Sequence, residues 1–132
     1  MGYTKRNLRE VENAAPKFDM PSEMDARFAR TPLGGETLGL SLLKLGPGFR
    51  VPFGHKHAGQ EEVYVVVSGS GKVKVDDEVV ELGPWDAIRF DTDTMRNVEA
   101  GPEGIEYLAF GAGGDPQDAE MSPGWWADDG DA

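Results

Sequence analysis

The chain has no cysteine. That excludes disulfides, thiolate metal sites and a cysteine nucleophile. Histidine is nearly absent as well: the 132 residues hold two, His55 and His57. Imidazole chemistry, if there is any, is confined to one place. No run approaches the roughly 18 apolar residues that a membrane span needs. The first ten residues, Met1 to Glu10, are polar with no apolar centre, so they do not read as a secretory signal and a cytoplasmic location is the default expectation. Bases are scarce, with 13 Lys and Arg against 24 Asp and Glu and a formal charge of −11. Phosphate binding needs a basic face, so nucleic acid and anionic membrane are not expected partners. The plain reading of that charge is a soluble acidic protein, and a high-salt cytoplasm would also suit it.

Glycine and proline, by contrast, are plentiful at 18 and 9 residues. They point to turns and short strands rather than long helices. Met24, Ala26 and Phe28 alternate with Asp25, Arg27 and Ala29, which is strand periodicity; a short helix capped by Ser22 competes with it. After a turn at residues 31–35, further strands are expected over 37–45, 49–53, 62–68 and 72–75. A two-residue turn at Asp76-Asp77 makes 78–82 a hairpin partner. Residues 87–90, 95–100 and 105–110 complete the set. About eight short strands at spacings near 8–12 residues indicate an all-β sandwich or barrel. No amphipathic helix lies between them, which argues against a parallel α/β sheet. The length suits one domain.

Residues 113–132 form an acidic tail; its last 18 residues contain Asp115, Asp118, Glu120, Asp128, Asp129 and Asp131 and no base. The exception in it is Trp125-Trp126, a pair suited to docking on an apolar surface, either the protein's own barrel mouth or a sister subunit. That pair, with sheet edges that need covering, leads us to expect a homodimer.

The chemistry concentrates in Phe53-Gly54-His55-Lys56-His57-Ala58-Gly59-Gln60-Glu61-Glu62. On an extended segment residues two apart point the same way, so His55 and His57 share one side and Lys56 faces the other. A carboxylate from the following strand can return to them. Two imidazoles and one carboxylate make a facial grip on a divalent ion such as iron, manganese, nickel, zinc or copper. Surface His-Lys-His pairs without any metal are also common, and the residues alone leave both readings open.

The spacing resembles the first motif of the cupin superfamily: a Gly, a His-x-His, a Glu, then six residues and a Gly. Here these are Gly48, His55, His57, Glu62 and Gly69. The gap from Gly48 to His55 is one residue longer than the common form. The likeness runs through Val65 to Gly71, the hairpin Val73 to Leu82 and Pro84-Trp85-Asp86-Ala87-Ile88, within residues 37–110. It implies a small antiparallel β-barrel of jelly-roll type with a site in its mouth. On that reading residues 31–112 form the barrel, and residues 1–30 pack on it or swap into a neighbour.

The second motif departs from the family. Trp85 stands where a Gly is usual, Asp91 for the Pro, Asp93 for the Gly, and Arg96 for the last metal-binding His. Arg96 is always cationic and cannot ligate a metal. Either His55, His57 and Glu62 hold a divalent ion with Arg96 beside it, or no metal binds and Arg96 pairs with Glu62. Arg96 also suits a clamp for a carboxylate or phosphate. Tyr64, on the same face as Glu62, and Gln60 are the other candidates for lining a ligand pocket, although Tyr64 equally suits the core. The resemblance implies a metal-dependent enzyme of dioxygenase, isomerase, epimerase or lyase type, and Arg96 suits it to a small anionic molecule. Without a metal, His55 or Glu62 could still serve as a general base. The alternative it implies is a non-enzymatic module for a sugar or carboxylate. Trp85 is expected to cover a barrel end.

Overall fold

A computed structural model describes residues 2–113 and 118–127 of the chain. After two 3₁₀ turns, Leu8–Glu10 and Ala15–Phe18, come β1 (Met24–Phe28), a single helical turn α1 (Arg30–Leu33), β2 (Leu38–Leu45) and β3 (Phe53–His57). Then follow β4 (Glu61–Val75), β5 (Glu78–Leu82), β6 (Ala87–Phe90), β7 (Arg96–Ala112) and β8 (Ala119–Pro123). All pairings are antiparallel, in the order β1-β2-β7-β3-β8, with β4 bonded to β5, β6 and β7. The result is a curled all-β sheet of jelly-roll type.

Met24 to Phe28 is a strand, not a helix capped by Ser22: it pairs with β2 in register Met24↔Leu45 to Phe28↔Ser41. Its inward Met24 and Ala26 are buried. The turn expected at 31–35 begins instead as α1 and stops at Gly34, whose φ of 73° provides the left-handed cap.

The strands expected separately at 62–68 and 72–75 are one 15-residue strand, and those at 95–100 and 105–110 one of 17. Their glycines bend the strands rather than end them. β4 and β7 run side by side, with register shifts between Val66 and Ser68 and between Gly69 and Gly71. Gly69 (φ 75°) and Gly104 (φ 83°) take the conformation that lets the ladder fold over. One half of β4 therefore pairs with β6 and the other with β5, and the two halves enclose the core. Leu45, Val66, Val73 and Phe90 are its largest fully buried apolar members. Tyr64, Val98, Ile105 and Tyr107 pack with them.

Two expectations change. Trp85 covers no barrel end: it is 74% exposed, on a turn at φ 68°. Residues 119–123, read only as acidic tail, form β8 along β3. Of the acidic tail residues, Asp115, Asp128, Asp129 and Asp131 lie outside the described residues. No described helix is long and apolar enough to cross a membrane.

Candidate functional site

β3 carries both histidines into the sheet. On its inner edge it meets β7 at a single register pair, His55↔Arg96. On its outer edge β8 lies antiparallel, with His55↔Met121 and His57↔Ala119. The strand is extended, so the two imidazoles project to one side, their rings edge-to-face at 5.4 Å. Lys56 projects to the other, against Asp93 (3.1 Å) and Glu120 (3.7 Å).

Glu62, at the start of β4, comes up between the imidazoles. His55 Nε2 lies 3.9 Å from Glu62 Oε1, and His57 Nε2 lies 4.0 Å from Oε2. Each imidazole thus faces a different oxygen of one carboxylate. The three donor atoms lie within 4.8 Å of one another.

Arg96 reaches the same carboxylate from below. It is fully buried. Its Nη2 donates to Glu62 Oε1, its Nη1 to the Thr94 carbonyl at 3.0 Å, and its Cζ lies 4.8 Å from the centre of the Phe90 ring. Its Nε is buried without a hydrogen-bond partner. The guanidinium is therefore directed first at Glu62 and at backbone.

Electrostatics follow from this packing. Burial alone would raise the Glu62 carboxyl, but His55 and the Arg96 charge together outweigh it and hold the group below its usual range. Burial also pushes the His55 imidazole below its ordinary value; Glu62 opposes this, while Arg96 and His57 add to it. At neutral pH the arrangement is an ionised carboxylate beside a neutral His55. Tyr64, two residues from Glu62, packs edge-to-face on Phe90 (4.8 Å) and tilted against Tyr107 (5.0 Å) in the core. Burial pushes its phenol well up, so it stays protonated. Gln60 is buried with its amide over Gly111, the register partner of Glu62; no described contact joins it to the imidazoles.

Sequence reasoning missed Asp118. Its Oδ1 lies 3.0 Å from His57 Nδ1, and its Oδ2 accepts from the Gly59 N–H at 2.9 Å. Nothing in the local pattern marks it, because 61 residues separate it from His57 and it stands among other tail acids. The signal that could have found it is the need of a ligating or catalytic His for a second partner on its other nitrogen.

The residues fit a divalent ion on chemical grounds. Bare Nε2 atoms and an ionised carboxylate are the forms that coordinate, and bonds of about 2 Å to each are compatible with gaps of this size. Arg96 holds one oxygen of Glu62 and leaves Oε2 turned toward His57.

The fold and the motif meet in the comparisons. A family model for the cupin domain matches residues 41–109. The chain is a cupin. A cupin protein from Bacteroides fragilis superposes with a TM-score of 0.71 at 24% identity, covering 88% of each chain. Oxalate decarboxylase from Bacillus subtilis superposes with a TM-score of 0.70 at 21% identity over 89% of this cupin but 32% of that chain. A Streptomyces protein solved with uridine gives 0.68 at 18% identity, over 89% of this cupin and 88% of its own chain. At such identities the likeness speaks for the fold. A search of curated proteins finds no sequence relative.

Proposed function

We propose that this cupin holds a divalent transition ion, iron, manganese, nickel or zinc, on His55, His57 and Glu62 and acts there on a small anionic metabolite. The observation that carries the reading is the facing of two imidazole Nε2 atoms, at 3.9 and 4.0 Å, onto the two oxygens of one carboxylate. A bound ion would supply a Lewis acid for a substrate oxygen in isomerase, epimerase or lyase chemistry, or redox capacity for dioxygenase chemistry. The chain's own residues do the rest. His55 and the Arg96 charge together keep Glu62 ionised. Burial keeps His55 neutral and so able to offer its lone pair to a cation. The permanent Arg96 cation beside the cluster supports an anionic rather than a neutral substrate.

Metal analysis of gently purified protein tests this. Near-stoichiometric transition metal in the wild type, lost in His57→Ala, is the expected result. Protein that stays metal-free after incubation with iron, manganese, nickel and zinc salts refutes it.

One observation favours a second reading, a metal-free module that binds a sugar or carboxylate: the Arg96 cation already sits on Glu62, where a second cation must compete with it. Ligand binding that is unchanged by EDTA and weakened by Arg96→Leu is what that reading expects.

A further inference from the structure

We infer that residues 118–127 form a working strap of the site, in which Asp118 is a positioning residue that fixes His57 with Nδ1 protonated and Nε2 bare. The inference deepens the proposed function, since it concerns how one member of that cluster is made ready.

The tautomer follows from the acceptor's chemistry. An ionised carboxylate has no hydrogen to donate. Asp118 accepts from Gly59 N–H through one oxygen and approaches His57 Nδ1 with the other. The 3.0 Å contact is a hydrogen bond only if Nδ1 carries the proton. The lone pair of the neutral ring is then on Nε2, the atom that faces Glu62 Oε2. Without Asp118, nothing described in the structure pairs with His57 Nδ1.

Asp118 is held in place by the strap that follows it, through contacts on several sides. β8 runs the length of β3, from His57↔Ala119 to Phe53↔Pro123. Gly124 N–H then donates to the Pro52 carbonyl at 3.0 Å. Trp125 lies flat on Gly54, where a Cβ would fall 2.7 Å from the indole, and Lys74 covers the ring at 4.6 Å. The Arg50 guanidinium stacks on Trp126 at 4.2 Å and donates to its carbonyl at 2.9 Å. The tryptophan pair therefore works in cis, clamping the strand that carries both histidines, and Asp118 enters the site from the end of that clamp. Gly54 is a specific requirement of the docking, because any side chain there meets Trp125.

The decisive measurement is the tautomer itself, read by long-range proton–nitrogen correlation NMR on metal-free, full-length protein above the imidazole range, with His55 as internal reference. Wild-type His57 should appear as the Nδ1–H form. Asp118→Ala should give a mixed or inverted population at His57, with the His55 signals retained. Wild-type His57 in the Nε2–H form, or an Asp118→Ala spectrum with the Nδ1–H form intact, overturns the inference. If Asp118→Ala does not fold, Trp125→Ala loosens the strap while leaving the carboxylate in the chain, and the same loss of a single tautomer is expected; an unchanged tautomer counts against the strap. In parallel, titration with Zn²⁺ should show affinity about 10–100-fold weaker in Asp118→Ala, the usual effect of removing a partner of a ligating His. A wild type that binds no metal at all refutes the proposed metal function, while the tautomer result still decides the role of Asp118.

Discussion

Arg96→Met is the most exacting test of the cluster. Arg96 is fully buried, and its partner Glu62 is nearly so, with 14% of the side chain exposed. Removing one member of a buried ion pair typically costs about 3–5 kcal/mol, because the other charge is left uncompensated. An exposed pair costs about 0–1 kcal/mol, so the two cases separate cleanly. Methionine preserves much of the apolar stem against Phe90 and limits the cavity contribution. Since each kcal/mol shifts Tm by roughly 2–8 °C in domains of this size range, the melting point should fall by roughly 10–20 °C. The pH dependence carries the sign. In the wild type the Glu62 carboxyl titrates below its value in the unfolded chain. Its contribution is therefore present above the ordinary carboxylate range and lost as pH falls through the lowered folded value. In the variant, burial is opposed only by His55, the carboxyl moves upward, and the penalty is relieved as acid neutralises it. The gap between variant and wild type should thus narrow on acidification. Changing both partners together, Arg96→Met with Glu62→Gln, should recover most of the loss. Urea unfolding of metal-free protein across a pH series measures all three quantities. A single-variant cost under about 1 kcal/mol, or a double variant no better than the single, would sink the account of Arg96 as counter-charge to Glu62.

Other predictions follow from single contacts. Gly48 and Gly69 have similar φ, 70° and 75°, but a Cβ at Gly48 meets nothing while one at Gly69 falls 2.1 Å from the Gly104 carbonyl. Gly48→Ala should cost about 1 kcal/mol, backbone strain alone, and Gly69→Ala about 2–6, strain plus overpacking; equal unfolding midpoints would contradict the packing argument. The neutral, buried His55 should make metal-free protein less stable as pH drops from 6.5 toward its lowered folded value, because the unfolded chain takes up that proton first. His55→Gln should flatten this slope, and an unchanged slope would refute it. On the outer sheet face, Leu40, Phe110 and Val63 lie in register beside exposed Leu38. If a second copy covers this row, light scattering should give twice the chain mass, and Phe110→Glu should halve it. A wild-type monomer would refute the dimer.

The first motif was legible because its residues carry backbone as well as chemical demands. Gly48 and Gly69 both take left-handed φ, and the His-x-His alternation is a property of any strand. The second motif was harder to read because two of its turn positions keep a positive φ without glycine: Trp85 at 68° and Asp93 at 62°. β4 and β7 looked like four strands because Gly69 and Gly104 read as stops, whereas their pairing partners continue past them. β8 alternates Ala119, Met121 and Pro123 with Glu120 and Ser122, but these are mostly residues of low strand propensity. Its strand character comes from β3, which offers it a row of open backbone groups, and no local rule contains that information. Asp118 was invisible for the same reason: its meaning depends on a strand pairing formed 61 residues away in the chain.

β8 has a consequence for handling this protein. Away from β8, β3 is bonded to β7 only at His55↔Arg96, so without that cover most of its backbone would be an open template for another chain. The segment most able to recruit a stray strand is thus the one that carries the two histidines. Lys56, pointing outward between them and paired with Asp93 and Glu120, is the only charged side chain on that strand's outer face to discourage such pairing. A tag fused after Trp126 therefore pulls on the cover of an aggregation-prone edge, whereas one at the N-terminus does not. Losses to precipitation in C-terminally tagged protein would trace to this seam rather than to the core.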